Sequence, residues 1–126
     1  MGRKKIEGIT KRTLNMIFEC AKDAHPREFA AGMRHIDGVI SELILVPGTI
    51  SGNRSALLRL SNLPIDYSLV GIVHSHPSPN VSPSPQDINM FGRYGRVHII
   101  VGWPYHEKSW KAYDWNGKEI ELEVLP

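Results

Sequence analysis

Apolar positions along the chain follow two different periods. Between Thr10 and His25, Leu14, Ile17, Phe18 and Ala21 recur at i, i+3, i+4 and i+7, the spacing of one buried helix face. Thr10 is suited to cap that helix, and Pro26 ends it at or before His25. Beyond it the apolar runs are short and rich in β-branched residues. Phe29–Ile36 and Val39–Val46 flank Asp37-Gly38, a dipeptide that favours a tight type I′ turn, and so predict a β-hairpin. Pro47, Gly48, Gly52 and Asn53 mark a loop, and Ala56–Leu60 reads as a further short strand. Leu69–Ser75 and Arg96–Trp103 are apolar enough to be strands buried on both faces. Between them Ser84-Pro85-Gln86-Asp87 opens a second helix, with Ser at the N-cap, Pro at the first helical position and an acid in the first turn. Ser109–Trp115 and Lys118–Leu125 surround Asn116-Gly117, a second hairpin signal. Six or seven strands with two helices predict an α/β or α+β domain built on a mixed sheet.

Composition narrows the class. A chain of 126 residues has the size of one ordinary domain. With 41% hydrophobic and 22% charged residues it is neither fully disordered nor collagenous. Its longest apolar runs are far too short to span a bilayer, and no apolar stretch follows the basic start, so neither a membrane partner nor a secretory leader is expected. The single cysteine, Cys20, excludes an intrachain disulfide and a cysteine-based zinc cluster. It is expected to be a small buried hydrophobe, and the chain to act in the cytoplasm. Residues 1–12 hold five Lys/Arg and one Glu, while the rest hold 10 basic and 12 acidic residues. The basic excess is a short cluster with no interleaved aromatics, which reads as a solvated helix start and gives no nucleic-acid partner.

The unusual chemistry lies between Val73 and Asp87. Side chains alternate along a strand, so His74 and His76 share a face with Cα atoms about 7 Å apart. Asp87, in the first turn of the next helix, can complete a set of three ligands. Three protein ligands with a fourth position left to water is the pattern of catalytic zinc. Pro77, Pro79, Pro83 and Pro85 stiffen the connecting loop, each fixing one φ. Taken singly, a His pair at i, i+2 is more often an ordinary polar pair, and Ser84 to Asp87 is simply a good helix start. Their combination on one short loop is what points to a metal.

His74-x-His76, seven residues, Ser84, two residues, Asp87 resembles the H-x-H-x7-S-x2-D signature of the JAMM (MPN-plus) metalloproteases, including Ser75 between the histidines and Pro77 after them. The resemblance extends over essentially the whole chain, most of all to the small archaeal members. It implies a single-domain MPN-like (cytidine-deaminase-like) α/β fold over residues 1–126, a mixed sheet flanked by helices. It also implies Zn2+ bound by His74, His76 and Asp87, with Glu28 as general acid/base and Ser84 as donor to the developing oxyanion. Around Glu28 the sequence departs from the commoner family pattern, in which a Gly and an aliphatic residue follow at tighter spacing; here the stretch is Phe29-Ala30-Ala31-Gly32-Met33. Glu19 and Glu42 are the competing acids. The implied activity is hydrolysis of the amide between a lysine and the C-terminal glycine of a ubiquitin-like modifier, so the implied partners are conjugates of such modifiers. Trimming of adducts from ubiquitin-like sulfur carriers is a related alternative. A non-catalytic scaffold on the same fold and a two-His, one-carboxylate iron enzyme are the rivals from other classes. The segments that correspond to the substrate-gripping insertions of larger members, Pro47–Asn53 and Trp103–Ser109, are short. The modifier's tail is then expected to pair with a strand edge, after Arg54–Leu60 or at Ser78–Ser82. Of the remaining candidates, His98 is expected to be a satisfied core histidine, His106 a loop residue, and Trp103, Trp110 and Trp115 packing residues. His25 and His35 carry no spacing argument, and oligomeric state is left open.

Overall fold

The structure, a computed structural model, describes residues 5–45 and 68–126. The expected loop at Pro47–Asn53 and strand at Ala56–Leu60 lie outside the described residues. In chain order the elements are β1 (Gly8–Thr10), α1 (Lys11–Ala24), β2 (Ala30–Ile36), β3 (Val39–Ile44), β4 (Leu69–His76), α2 (Pro85–Tyr94), β5 (His98–Gly102), β6 (Trp110–Tyr113), β7 (Glu119–Ile120) and β8 (Glu123–Leu125). The strands form one mixed sheet in the order β7-β6-β5-β4-β2-β3-β1-β8, which bears out the expected α/β class. No helix among the described residues is long and apolar enough to cross a membrane.

Local chemistry accounts for most boundaries. Thr10 caps α1, its Oγ1 accepting from the Thr13 N–H at 3.1 Å, and the helix closes at His25, ahead of Pro26. The β2–β3 turn has Asp37 at φ 50° and Gly38 at φ 86°, as the type I′ turn requires. The second hairpin is built differently. The Gly117 N–H donates to Asp114 O, the Asp114 N–H to Lys118 O, and Gly117 takes φ 83°, so a three-residue loop ends on a left-handed glycine. Asp114 Oδ1 holds this loop by accepting from Asn116 and Lys118 N–H.

The expected strand Lys118–Leu125 is in fact two. β7 pairs antiparallel with β6, and β8 pairs in parallel with β1 at the opposite edge of the sheet. Ile120 and Glu123 are three residues apart, a span of at most about 11 Å. Two edges joined by so short a link mean that the sheet curls almost closed. Neither β1 nor this departure is signalled by periodicity, because three residues are too few to show alternation.

Helix α1 fills the concave face. Its Leu14, Ile17, Phe18 and Ala21 pack in one cluster with Ile9, Met33, Val73, Ile99 and Val101, and each large side chain so buried contributes about 1.5–3 kcal/mol. Cys20 lies at the margin of this cluster, half-buried instead of fully buried, and burial pushes its thiol pKa up, helped by Asp23 and Glu19. The alternate residues of the central strands face the other way. There Phe91 of α2 packs with Ile100 and Tyr113, and Ala30 and Ile72 meet Met90 and Tyr94.

His98 is a buried polar residue of this second layer, and both its ring nitrogens are committed. Nδ1 accepts from the Ile72 N–H at 3.1 Å, Nε2–H donates to Gly95 O at 2.8 Å, and the ring stacks on Phe91 at 4.3 Å. Burial pushes its pKa down to about 4, outweighing the backbone carbonyls that favour the charged form. In the unfolded chain the ring titrates near 6.5. Between these values the unfolded state binds more protons, so this contribution is complete above about pH 6.5 and falls as the pH drops towards 4. By pH 4.5 it has lost about 2–3 kcal/mol. Chemical denaturation of metal-free protein should therefore show the stability gap between the parent and His98→Gln narrowing by about that amount from pH 7 to pH 4.5. A gap of equal size at both pH values would count against a neutral core histidine.

Candidate metal centre

Alternation along β4 turns His74 and His76 towards α2, with His74 buried and His76 partly so. The helix supplies the third group. Ser84 and Asp87 form a capping box: the Asp87 N–H donates to Ser84 Oγ at 3.1 Å, and the Ser84 N–H donates to Asp87 Oδ2 at 2.9 Å. This fixes the carboxylate against the strand. Asp87 Oδ1 lies 3.2 Å from His74 Nε2, Oδ2 lies 3.4 Å from His76 Nε2, and the two Nε2 atoms are 3.2 Å apart.

These separations test the fit of an ion. A tetrahedron with metal–ligand bonds of about 2.0–2.1 Å has edges of about 3.3–3.4 Å; the Nε2–Nε2 separation and the shortest approach of each Nε2 to the carboxylate, His74 to Oδ1 and His76 to Oδ2, are close to that length. The tautomer fits as well. His76 Nδ1 lies 2.8 Å from Asn80 O, a carbonyl that can only accept, so Nδ1 carries the hydrogen and neutral His76 presents a lone pair at Nε2. Two ring nitrogens and a carboxylate gathered this closely need a proton or a cation between them. Without metal, the hydrogen bond to Asp87 raises the His76 pKa against the opposing effect of burial, aided by Asn80 and by the charges of Asp87 and Glu28. Burial alone would raise the Asp87 pKa, but the hydrogen bonds of the two histidines, the charge of His74 and the Ser84 N–H hold it far below the usual carboxylate range. Among the described residues this is the one group of three such side chains able to hold a metal ion.

The loop after β4 is tied inward. Ser78 O accepts from the Trp103 N–H, Asn80 O meets His76, and Val81 O accepts from the Tyr113 hydroxyl. Gly102 allows this approach, since a Cβ there would lie 2.7 Å from Ser78 O. With these carbonyls spent, Ser78–Ser82 is not the open strand edge expected for a substrate tail, and the other expected edge, after Arg54–Leu60, lies outside the described residues.

The acids are placed by strand register. Ala30 lies opposite His74, and the Ser75 N–H donates to Phe29 O while the Phe29 N–H donates to Ser75 Oγ. Continuing this antiparallel register brings Glu28 opposite His76, on the same face as the ring. Glu28 is exposed there. Glu42 is far away: it faces Arg34, which lies opposite Leu69, seven residues or about 23 Å along β4 from His76. Glu19 is exposed on α1 and paired with Lys22. Ser84 is exposed at the helix start, and its cap role uses an oxygen lone pair, not the hydroxyl hydrogen.

Several contributions had no signal in the sequence. Asn80 acts through its carbonyl, which any residue would offer. His25 Nδ1 and the Tyr105 hydroxyl are 2.7 Å apart, although 80 residues separate them in the chain. Trp103 and Trp115, expected to pack, are 48% and 59% exposed, and only Trp110 leans on the core.

Residues 10–115 match the family model of prokaryotic homologs of the JAB domain. A probable metalloprotease of Haloferax volcanii is 36% identical over 97% of this chain and 81% of its own length. The crystal structure of a JAB1/MPN domain protein from Archaeoglobus fulgidus is 43% identical, covering 94% of this chain and 99% of that one, with a TM-score of 0.78. A second structure, described as a metalloprotease-like JAMM zinc site in the proteasome and signalosome, is 40% identical, with coverage of 97% and 100% and a TM-score of 0.78. A solution structure from Desulfitobacterium hafniense, 15% identical over 93% of this chain and 91% of that one with a TM-score of 0.57, shares the fold alone. The chain thus belongs to the prokaryotic JAB family, as a JAMM-type metalloprotease-like protein of the small archaeal kind whose cofactor is Zn2+.

Proposed function

We propose that this protein is an isopeptidase, hydrolysing the amide between a lysine side chain and the C-terminal glycine of a ubiquitin-like modifier, as one catalytic domain over residues 1–126. His74, His76 and Asp87 are its zinc ligands, Glu28 its general acid/base and Ser84 its oxyanion donor. The observation that carries the reading is the gathering of two imidazole Nε2 atoms, 3.2 Å apart, around the Asp87 carboxylate, with an acid in register beside them. Zinc held there supplies Lewis-acid polarisation of the amide and brings the pKa of water down to about 7. Glu28 accepts the proton of the attacking water and returns it to the departing lysine amine, contributing about 10²–10⁴-fold. Ser84 donates its unused hydroxyl hydrogen to the carbonyl oxygen as negative charge develops, which is worth about 3–4 kcal/mol where comparable donors have been removed. Removal of adducts from ubiquitin-like sulfur carriers would use the same residues and differs only in what is attached to the tail.

Three substitutions separate these roles. A His74→Ala, His76→Ala double variant should fold, and metal analysis should find it without zinc; full occupancy would remove these ligands from the reading. Glu28→Gln should keep its zinc and lose about 10²–10⁴-fold in kcat on an isopeptide-linked substrate, whereas a near-normal rate would assign the proton transfers elsewhere. Ser84→Ala should keep zinc and lose about 10²-fold or more in kcat. If it loses only thermal stability, Ser84 is a helix cap and nothing more.

A further inference from the structure

The His76 ring is held by a carbonyl on the loop that leaves its own strand, and that loop is held in turn from β5 and β6. Asn80 O accepts from His76 Nδ1–H at 2.8 Å. It is a backbone atom, so its direction is that of the peptide plane. Within the loop, Asn80 Oδ1 accepts from the Ser82 N–H at 2.9 Å, and both residues are exposed. Two carbonyls that bracket Asn80 are gripped from elsewhere in the chain. The Trp103 N–H, just after β5, reaches Ser78 O at 3.1 Å, and the Tyr113 hydroxyl of β6 donates to Val81 O at 2.5 Å. The Val81 side chain follows its carbonyl inward and packs against Phe91, Ile100 and Tyr113.

The two grips differ in kind. The Trp103 N–H is a backbone donor that any residue but proline would offer. Tyr113 is a buried side chain, set opposite His98 in the β5–β6 pair, so its place is fixed by the sheet. Phe would fill the same space against Phe91 and Ile100. The hydroxyl adds nothing to that packing and, being buried, needs a partner. It finds one in the residue that follows Asn80. Gly102 leaves room for this approach, since a Cβ there would lie 2.7 Å from Ser78 O and 2.8 Å from Val81 Cγ1. The acceptor for His76 is thereby tied to the rigid frame of the sheet.

We propose that Tyr113 is a positioning residue for the metal centre. Its hydroxyl fixes the Val81 carbonyl, which sets Asn80 O where it keeps the hydrogen on His76 Nδ1 and turns Nε2 towards Asp87. This rests on His74, His76 and Asp87 as the zinc ligands, and it holds whichever amide the protein cleaves. Loss of a group that orients a metal-binding imidazole costs about 10–100-fold in affinity. Tyr113 acts through one intervening residue, so its effect belongs at the lower end of that range.

The test uses Tyr113→Phe, which keeps the ring and removes the hydroxyl. Titration of the metal-free protein with zinc against a competing chelator should show an affinity about tenfold weaker than the parent's. In the zinc-loaded protein the His76 Nδ1–H proton, followed by NMR at neutral pH, should exchange with water several-fold faster than in the parent. Thr10→Ala, which removes the cap of α1 on the other side of the sheet, serves as the control for a purely structural loss. It should lower the melting temperature yet keep both zinc affinity and that exchange rate within about twofold of the parent. If Tyr113→Phe binds zinc as tightly as the parent, or binds it more weakly with the His76 exchange unchanged, the hydroxyl does not act through His76 and the inference is wrong. If the His74→Ala, His76→Ala variant retains its zinc, the ligand reading fails and this inference falls with it.

Discussion

The Asp87 carboxylate joins the two halves of the site. One oxygen faces His74, and the other lies between His76 and the Ser84 N–H. The same group starts a helix and faces a strand, so the position of α2 and the spacing of the metal donors are a single constraint. Moving the helix by an ångström against β4 would keep the cap but break the donor spacing that suits zinc. Local chemistry makes this placement robust. Pro85 presets the first helical φ, the reciprocal Ser84–Asp87 bonds satisfy two N–H groups that a helix start leaves open, and Phe91 anchors the next turn against Ile100 and Tyr113.

The strand side of the site is held from both flanks. β2 pairs with β4 in antiparallel register on one side and β5 pairs with it in parallel register on the other. His74 and His76 therefore stand on a strand whose backbone is committed along most of its length. Ser75, between them, turns to the opposite face and accepts from the Phe29 N–H. One short tripeptide thus provides two metal-facing rings and a clamp on the segment that carries Glu28. The curl of the sheet serves the same end, since α1 in the concave face leaves the other face of β4 to α2.

Much of this was legible in the sequence, because it depends on neighbours in the chain. The helix face of α1, the Asp37-Gly38 turn, the buried strands β4 and β5, and the Ser84-Pro85-Gln86-Asp87 helix start each follow from residues within a few positions of one another. So does the His74, His76 and Asp87 set, where strand alternation and a proline-rich loop of eight residues before α2 leave little freedom. Glu28 was identified by resemblance, and its position opposite His76 is a consequence of β2–β4 register.

Contacts between distant segments were decided by the tertiary structure alone. β1 and β8, of three residues each, exist because each gives the other hydrogen bonds that neither could find locally. The division of Lys118–Leu125 into β7 and β8 follows from closure of the curled sheet, which no local period encodes. Glu42 looked as suitable an acid as Glu28 until register set it about 23 Å along β4 from His76. Asn80 contributes a backbone carbonyl, and the contacts of the His25 ring with Trp103 and Tyr105 bring together residues 78 and 80 positions apart. Periodicity, capping and motif spacing report what a residue does to its near neighbours. Which side chains meet across the end of β4 is set by the pairing of strands and the packing of two helices on opposite faces of one curled sheet.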